Sequence, residues 1–378
     1  MMDGKKKTPR VWLHIGMPKT GTTTIQTVMS SNRKLLRQHG YFYPDFGDRQ
    51  HVALARALAR RAGSRVQFPD NGDCGPYQRF SELLETQAPR AHTSVISSEN
   101  FFQRPACAPG YCGAHGASAF DLLEATVAET AKYFAGCEVT VLMWLRRQDN
   151  WLMSMYNETV KTSLYSRGFR YFADNSVGAH LRRVVELWIA AFGRERVICR
   201  SYDALARDKG NVVEDFLQTV CPNIPRDAFR KTDDPRNISL SNEGLWLKKR
   251  INGLVKSSGV EMDDETQARV RTLVAEVTRT SPDARAHFLS SADRVALMDR
   301  FLEDNRVLVE GMGYSELRPL IEVDDLEVPS KPAGELKFCL HSIDQLIKTL
   351  VLPASAAGED IKEAAEVPFG ATPDGVSQ

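Results

Sequence analysis

Residues Val11 to Thr24, VWLHIGMPKTGTTT, constrain the fold of this chain more than any other stretch. An apolar run ends in a loop holding two glycines, a single lysine and a cluster of threonines, and a segment with Ile25, Val28 and Met29 on one side follows at once. This spacing predicts a strand, a tight loop and a helix that ends near His39 and Gly40. Successive amides in such a loop point the same way, and the helix behind it adds unpaired N–H groups and the positive end of its dipole. The geometry suits a phosphate group.

The loop is close to the pattern G-x-x-x-x-G-K-[ST], in which lysine follows the second glycine and the next hydroxyl holds Mg²⁺. Gly16 and Gly21 have that separation, but Thr22 stands where the lysine belongs, and Lys19 lies two places before Gly21. A cation at the crown of the loop is better placed for a bridging oxygen or a leaving group than for the usual grip on β- and γ-phosphates. An ATP or GTP hydrolase is therefore disfavoured. The plainer reading is a glycine turn with a solvated lysine, and the strand-then-helix context speaks against it.

Further strands are expected at 93–98, 138–145 and 196–200, with a short extended piece at Tyr41–Pro44 and helices near 49–62, 77–84, 120–134, from about Trp151, and 181–192. The run Glu138–Leu145 is almost wholly apolar, as a strand covered on both faces should be. Alternation of this kind predicts an α/β fold, a P-loop-like parallel sheet with helices on both faces. From Asn211 onward the pattern is mostly helical, near 211–220, 241–257, 263–279 and 291–311. The expected organisation is a flexible 1–10, a domain over 11–320 with an α/β core to 205 and a helical part from 206, and an extension at 321–378 with a disordered tail from 353.

Composition sets limits on partners. With 378 residues and 42% hydrophobic content the chain can bury a sizeable core, and 49 basic against 48 acidic residues leave a net charge of +1. Nothing global points to nucleic acid, so affinity for anions must come from local clusters. No apolar run reaches the length of a membrane span, and Met1 to Lys7 lead towards the first strand without a signal-peptide core, so a cytoplasmic protein is expected. Of the seven cysteines, Cys137, Cys199 and Cys221 are expected in the core. Cys74, Cys107, Cys112 and His115 match no metal spacing well, and residues 103–117 read as an exposed excursion or lid.

In parallel sheets ligands gather at the carboxyl ends of the strands. The loop, Glu99 and Arg146 all directly follow predicted strands, so they should converge on one edge. Ser154 falls eight residues after Arg146, inside the next helix. A planar guanidinium fork and a hydroxyl suit a second phosphate; the plainer reading is a solvated arginine and an ordinary helical serine.

Gly16-Met17-Pro18-Lys19-Thr20-Gly21-Thr22-Thr23 resembles the 5′-phosphosulfate loop of sulfotransferases that use 3′-phosphoadenosine 5′-phosphosulfate (PAPS), and Arg146 with Ser154 resembles their 3′-phosphate motif. The general cast is nearest to bacterial carbohydrate-type sulfotransferases. The resemblance implies that Pro18, Lys19, Thr20, Gly21, Thr22 and Thr23 hold the 5′-phosphosulfate and that Arg146 and Ser154 hold the 3′-phosphate. It implies a further grip from Arg230 and Lys231, where Thr232 replaces the family glycine, or from Arg236 beside Asn237. Tyr202-Asp203-Ala204-Leu205 fits loosely, and Thr24 replaces the tryptophan that many members place near the adenine.

For such a reaction Lys19 and Glu99 are the expected catalytic residues, one at the leaving phosphate and the other as general base, with His51 or Asp45 as alternative bases. No metal is required on this reading, because Lys19 and the loop supply the positive charge. The expected partners are the nucleotide and a hydroxyl acceptor, a glycan or glycolipid-like molecule. Lys161, Tyr165, Arg167, Phe169, Arg170 and Tyr171 are expected either to line the acceptor groove or to form a surface loop with its anchors. A P-loop small-molecule kinase and a catalytically silent nucleotide-binding scaffold are the alternatives.

Overall fold

The fold grows from β1 (Arg10–Gly16), which takes a parallel partner on each side: β3 (Thr93–Ser97) and β4 (Glu138–Leu145). β2 (Tyr41–Phe42) and β5 (Val197–Ser201) extend the sheet to the order β2-β3-β1-β4-β5, parallel throughout. This computed structural model describes residues 8–63, 93–103, 119–230, 239–280 and 289–322, with 78, 81, 82 and 86 besides. The expected α/β architecture is therefore observed, and the extended piece at Tyr41 is an edge strand. The expectations for most of the 77–84 helix, for most of the 103–117 excursion and for the chain beyond 322 fall outside the described residues.

Side chains of β4 explain its apolar composition. Val139, Val141, Met143 and Leu145 join one core cluster while Leu142 and Trp144 join another, the two-residue alternation of a strand covered on both faces. On one face pack α3 (Val52–Arg61), α5 (Ala119–Tyr133), α6 (Gln148–Thr162) and α8 (Leu181–Phe192). On the other lie α1 (Thr22–Ser31) and α10 (Val212–Val220), whose Ile25, Met29, Phe216 and Leu217 are buried against Val95 and Trp144. Each such fully buried side chain contributes about 1.5–3 kcal/mol.

Three elements depart from the expected bounds, each for a local reason. The first helix breaks at Asn32 and restarts as α2 (Arg33–Gln38), because the Asn32 side chain donates to Val28 O at 2.8 Å and accepts from Arg230 N at 2.9 Å. α6 begins at Gln148, ahead of Trp151: the Asp203 carboxylate takes Arg147 N at 2.6 Å and the Asn150 amide at 3.1 Å, anchoring an earlier turn. The 291–311 stretch divides into α13 (Ser291–Asp299), α14 (Leu302–Arg306) and a π-turn (Val307–Gly311). That division lets Phe301 reach the core, while Asn305 pairs with Gln148 through bonds of 2.7 and 3.2 Å.

Between them α7 (Phe169–Asp174) and α9 (Tyr202–Arg207) follow α6 and β5, and α4 (Asn100–Gln103) follows β3. α11 (Asn242–Ser258) and α12 (Asp264–Thr280) pack against each other, and α11 also packs on α6. At the start of α6 the Asp149 carboxylate, fully buried, is clamped by Arg147 at 2.8 Å and Arg294 Nε at 2.8 Å. Burial alone would raise this carboxyl, but the two guanidiniums win and hold it below the usual range. Among the described residues no helix is long and apolar enough to cross a membrane.

Candidate functional site

The β1–α1 loop is held in a demanding shape. Gly16 has φ +107°, a conformation that favours glycine, and a Cβ there would lie a tight 3.1 Å from the Glu99 Cβ, so the end of β1 and Glu99 approach closely. Lys19 itself sits at φ +66°, a left-handed conformation that costs an L-residue about 1–2 kcal/mol. Three donors offset this by occupying consecutive carbonyls. Thr20 Oγ1 donates to Met17 O at 2.5 Å, Trp151 Nε1 to Pro18 O at 3.1 Å and Arg146 Nη1 to Lys19 O at 3.1 Å. The Thr20 hydroxyl is thus turned inward, onto the loop itself.

Behind the loop, α1 opens from Gly21 at φ +81° with no side-chain cap. Side chains cap α9, α10, α11 and α13 through Ser201, Asn211, Ser241 and Ser290, whereas α2, α3, α6, α7 and α8 open without one, as α1 does. The first-turn amides of α1 and the exposed Thr23 are left to face whatever occupies the loop. A phosphate or sulfate fits this donor set.

One flank of the loop is built by the end of β4 and by α6. Arg146, beyond the strand end, lies over the Tyr202 ring at 5.3 Å while its guanidinium holds the loop. Tyr202 and Asp203 thereby acquire separate tasks, the ring under Arg146 and the carboxylate at the start of α6. Trp151, Ser154 and Glu158 follow each other at helical spacing on one face of α6. Trp151 touches Pro18 O, and Glu158 Oε2 meets Lys19 Nζ at 3.2 Å. Half-buried Ser154 lies between them on that face.

The other flank is the end of β3. Glu99 follows Ser97 and Ser98, and the buried Phe101 and Phe102 of α4 anchor the turn that carries it. The buried Gln26 of α1 donates to Glu99 Oε2 at 3.1 Å and to Ser97 Oγ at 3.2 Å, and Ser97 Oγ meets His14 Nδ1 at 2.8 Å. His51 accepts from Ser97 N at 2.8 Å through Nδ1 and bonds Pro44 O at 3.1 Å through Nε2. Burial pushes the His51 imidazole down to about 4 and that of His14 to about 3, so both are neutral. With both ring nitrogens committed to backbone, His51 is a structural clamp, which removes it as an alternative base. Asp45 is engaged by Gly47 N at 3.0 Å and lies 3.5 Å from Arg33.

Arg146 and Glu99 therefore meet the Lys19 loop at one edge, as their positions after strands predicted, and Ser154 stands on the face of α6 that carries Trp151 and Glu158. Arg230 is placed differently: Asn32 binds its N–H and carbonyl at the far end of α1, a helix of ten residues and about 15 Å from the loop end. Lys231 and Arg236 lie outside the described residues, as do Cys74, Cys107, Cys112 and His115. Cys199 and Cys221 are buried with thiols pushed up to about 12, while Cys137 is half-buried. In the expected acceptor groove, Tyr165 and Phe169 pack on Tyr156 as anchors, whereas Arg167 lies 4.2 Å over Tyr171 at the surface. Among the described residues no cluster of His, Cys, Asp and Glu is arranged to hold a metal ion. Sequence reasoning missed Gln26, Trp151 and Glu158. The signal for the last two was present, since both share the helical face of Ser154.

No known family model matches the chain. Over 168 residues it is 27% identical to an uncharacterized protein of Archaeoglobus fulgidus, a stretch that spans 44% of this chain and 44% of that relative. Among solved structures it is similar to a sulfotransferase from Alicyclobacillus acidocaldarius, with 14% identity, coverage of 71% of this chain and 96% of the other, and a TM-score of 0.37.

Proposed function

We propose that this chain is a sulfotransferase that moves a sulfuryl group from PAPS to a hydroxyl of a carbohydrate or glycolipid-like acceptor. The observation that carries the reading is Lys19 at the crown of an uncapped strand–loop–helix, with Arg146 bonded to the same residue on one flank and Glu99 packed against Gly16 on the other. The donor supplies an activated sulfuryl group on a phosphate leaving group. In this reading the amides of the loop and of the first turn of α1 hold the 5′-phosphate, while Arg146 and Ser154 hold the 3′-phosphate. Arg230, Lys231 and Arg236 are further candidates for that second grip on sequence grounds alone.

Glu99 takes the acceptor proton as the acceptor oxygen bonds to sulfur, and the bridging S–O bond breaks with its electron pair going to the 5′-phosphate. Lys19 neutralises the charge that grows on that oxygen. Gln26 fixes one Glu99 oxygen and leaves the other for the acceptor. Calorimetry with 3′-phosphoadenosine 5′-phosphate and with ATP, each in a chelator, tests the reading. Tighter binding of the former is expected; preference for ATP, or loss of all binding without magnesium, overturns it. A screen of labelled PAPS against glycans, lipids and phenols then identifies the acceptor.

A further inference from the structure

We propose that Glu158 is a latch on Lys19: it holds the ammonium group until an anionic ligand draws Lys19 off, and Lys161 then takes over the carboxylate. The proposal rests on the donor reading above.

The loop main chain is fixed by donors at three successive carbonyls, so the Lys19 side chain is the part that can swing. Its ammonium lies 3.2 Å from Glu158, with the two side chains 24% and 27% exposed. A pair this open to water is held only weakly. A multiply charged phosphosulfate makes stronger charge-assisted bonds and displaces the carboxylate.

Left bare beside a bound anion, Glu158 would repel it. Lys161 stands three residues further along α6, within reach of the same carboxylate. Its ammonium is half-buried and shifted down, first by burial and also by Lys19, while Glu158 acts in the opposite sense. The three groups share one field, so Lys161 keeps Glu158 neutralised once Lys19 leaves.

Glu158→Gln should tighten binding of 3′-phosphoadenosine 5′-phosphate by about two- to five-fold, the equivalent of releasing such a pair. The gain should appear in the donor KM rather than in kcat. Because this change also adds net positive charge, Glu158→Asp is the charge-matched control: one methylene shorter, it should shift affinity in the same direction. In a Lys161→Met background the Glu158→Gln change should have a larger effect; simple additivity would remove Lys161 from the scheme.

Independently of any nucleotide, competitive amine labelling followed by mass spectrometry should show Lys19 reacting several-fold faster in Glu158→Gln. An unchanged labelling rate overturns the latch. So does a Glu158→Asp variant whose affinity matches wild type. Failure of the wild-type protein to bind 3′-phosphoadenosine 5′-phosphate overturns the donor reading instead, and the labelling result still decides the latch.

Discussion

Two carboxylates on α6 make ion pairs of opposite character. Asp149, in the first turn, is fully buried and gripped by two arginines, one of them reaching in from α13. Glu158, more than two turns later, keeps 27% of its side chain exposed and meets a single lysine of the loop. In the first case desolvation has already been offset by a complete set of partners, and removing one leaves charge stranded in the interior. In the second, water competes throughout, so the contact can be exchanged for a ligand. The same chemistry thus fastens the fold at one end of the helix and stays available for function in the middle.

The strongest way to break this contrast is Asp149→Ala, which should destabilise the protein by about 3–5 kcal/mol as two guanidiniums lose their shared carboxylate. Urea unfolding measures it, and a loss under about 1 kcal/mol, the range of an exposed pair, would erase the distinction. Lys19→Ala comes next. It should lower sulfuryl transfer by roughly 10²–10³-fold with an unchanged melting temperature, and transfer at the wild-type rate would refute the leaving-group role.

Acid titration gives a smaller effect and separates the buried groups further. Above pH 6.5 the imidazoles of His14 and His51 are neutral in both folded and unfolded chains and contribute no slope. As pH falls below 6.5 the unfolded chain takes up protons that the native protein refuses down to about 4 at His51 and about 3 at His14, so stability declines through that window. The Asp149 carboxyl is held below its ordinary 3.8, so its ion pairs contribute fully above that range and are lost as pH falls through the lowered value. His14→Gln should flatten the stability slope between pH 6 and 4 by up to about 1.4 kcal/mol per unit, and an unaltered slope would show that His14 titrates normally.

How much of this could be read beforehand depended on whether the signal was local. The strand–loop–helix at Gly16 to Gly21 was legible because turn glycines, an apolar run and a helical stripe all fall within a few residues. Glu99 and Arg146 were legible because the parallel topology sends strand ends to one edge. Other features depended on distant partners. The break at Asn32 answers to Arg230, 198 residues away, and the early start of α6 answers to Asp203, 56 residues from Arg147. His51 had the composition of a base, and only its two backbone bonds showed it to be structural. Glu158 carried a readable helical spacing, but its partner is a loop lysine 139 residues upstream.

The central position of β1 also bears on how the molecule assembles. This strand leaves the ribosome before the strands that flank it, yet His14 waits for Ser97, 83 residues later, and Lys19 for Arg146, 127 residues later. Until β3 and β4 arrive, both edges of an apolar strand are open to pairing with other chains. Contacts of such sequence separation make for slow folding. The loop would then acquire its final shape only when Arg146 and Trp151, which follow β4, close onto Lys19 and Pro18, so the shape of the loop would report the joining of β1 to β4.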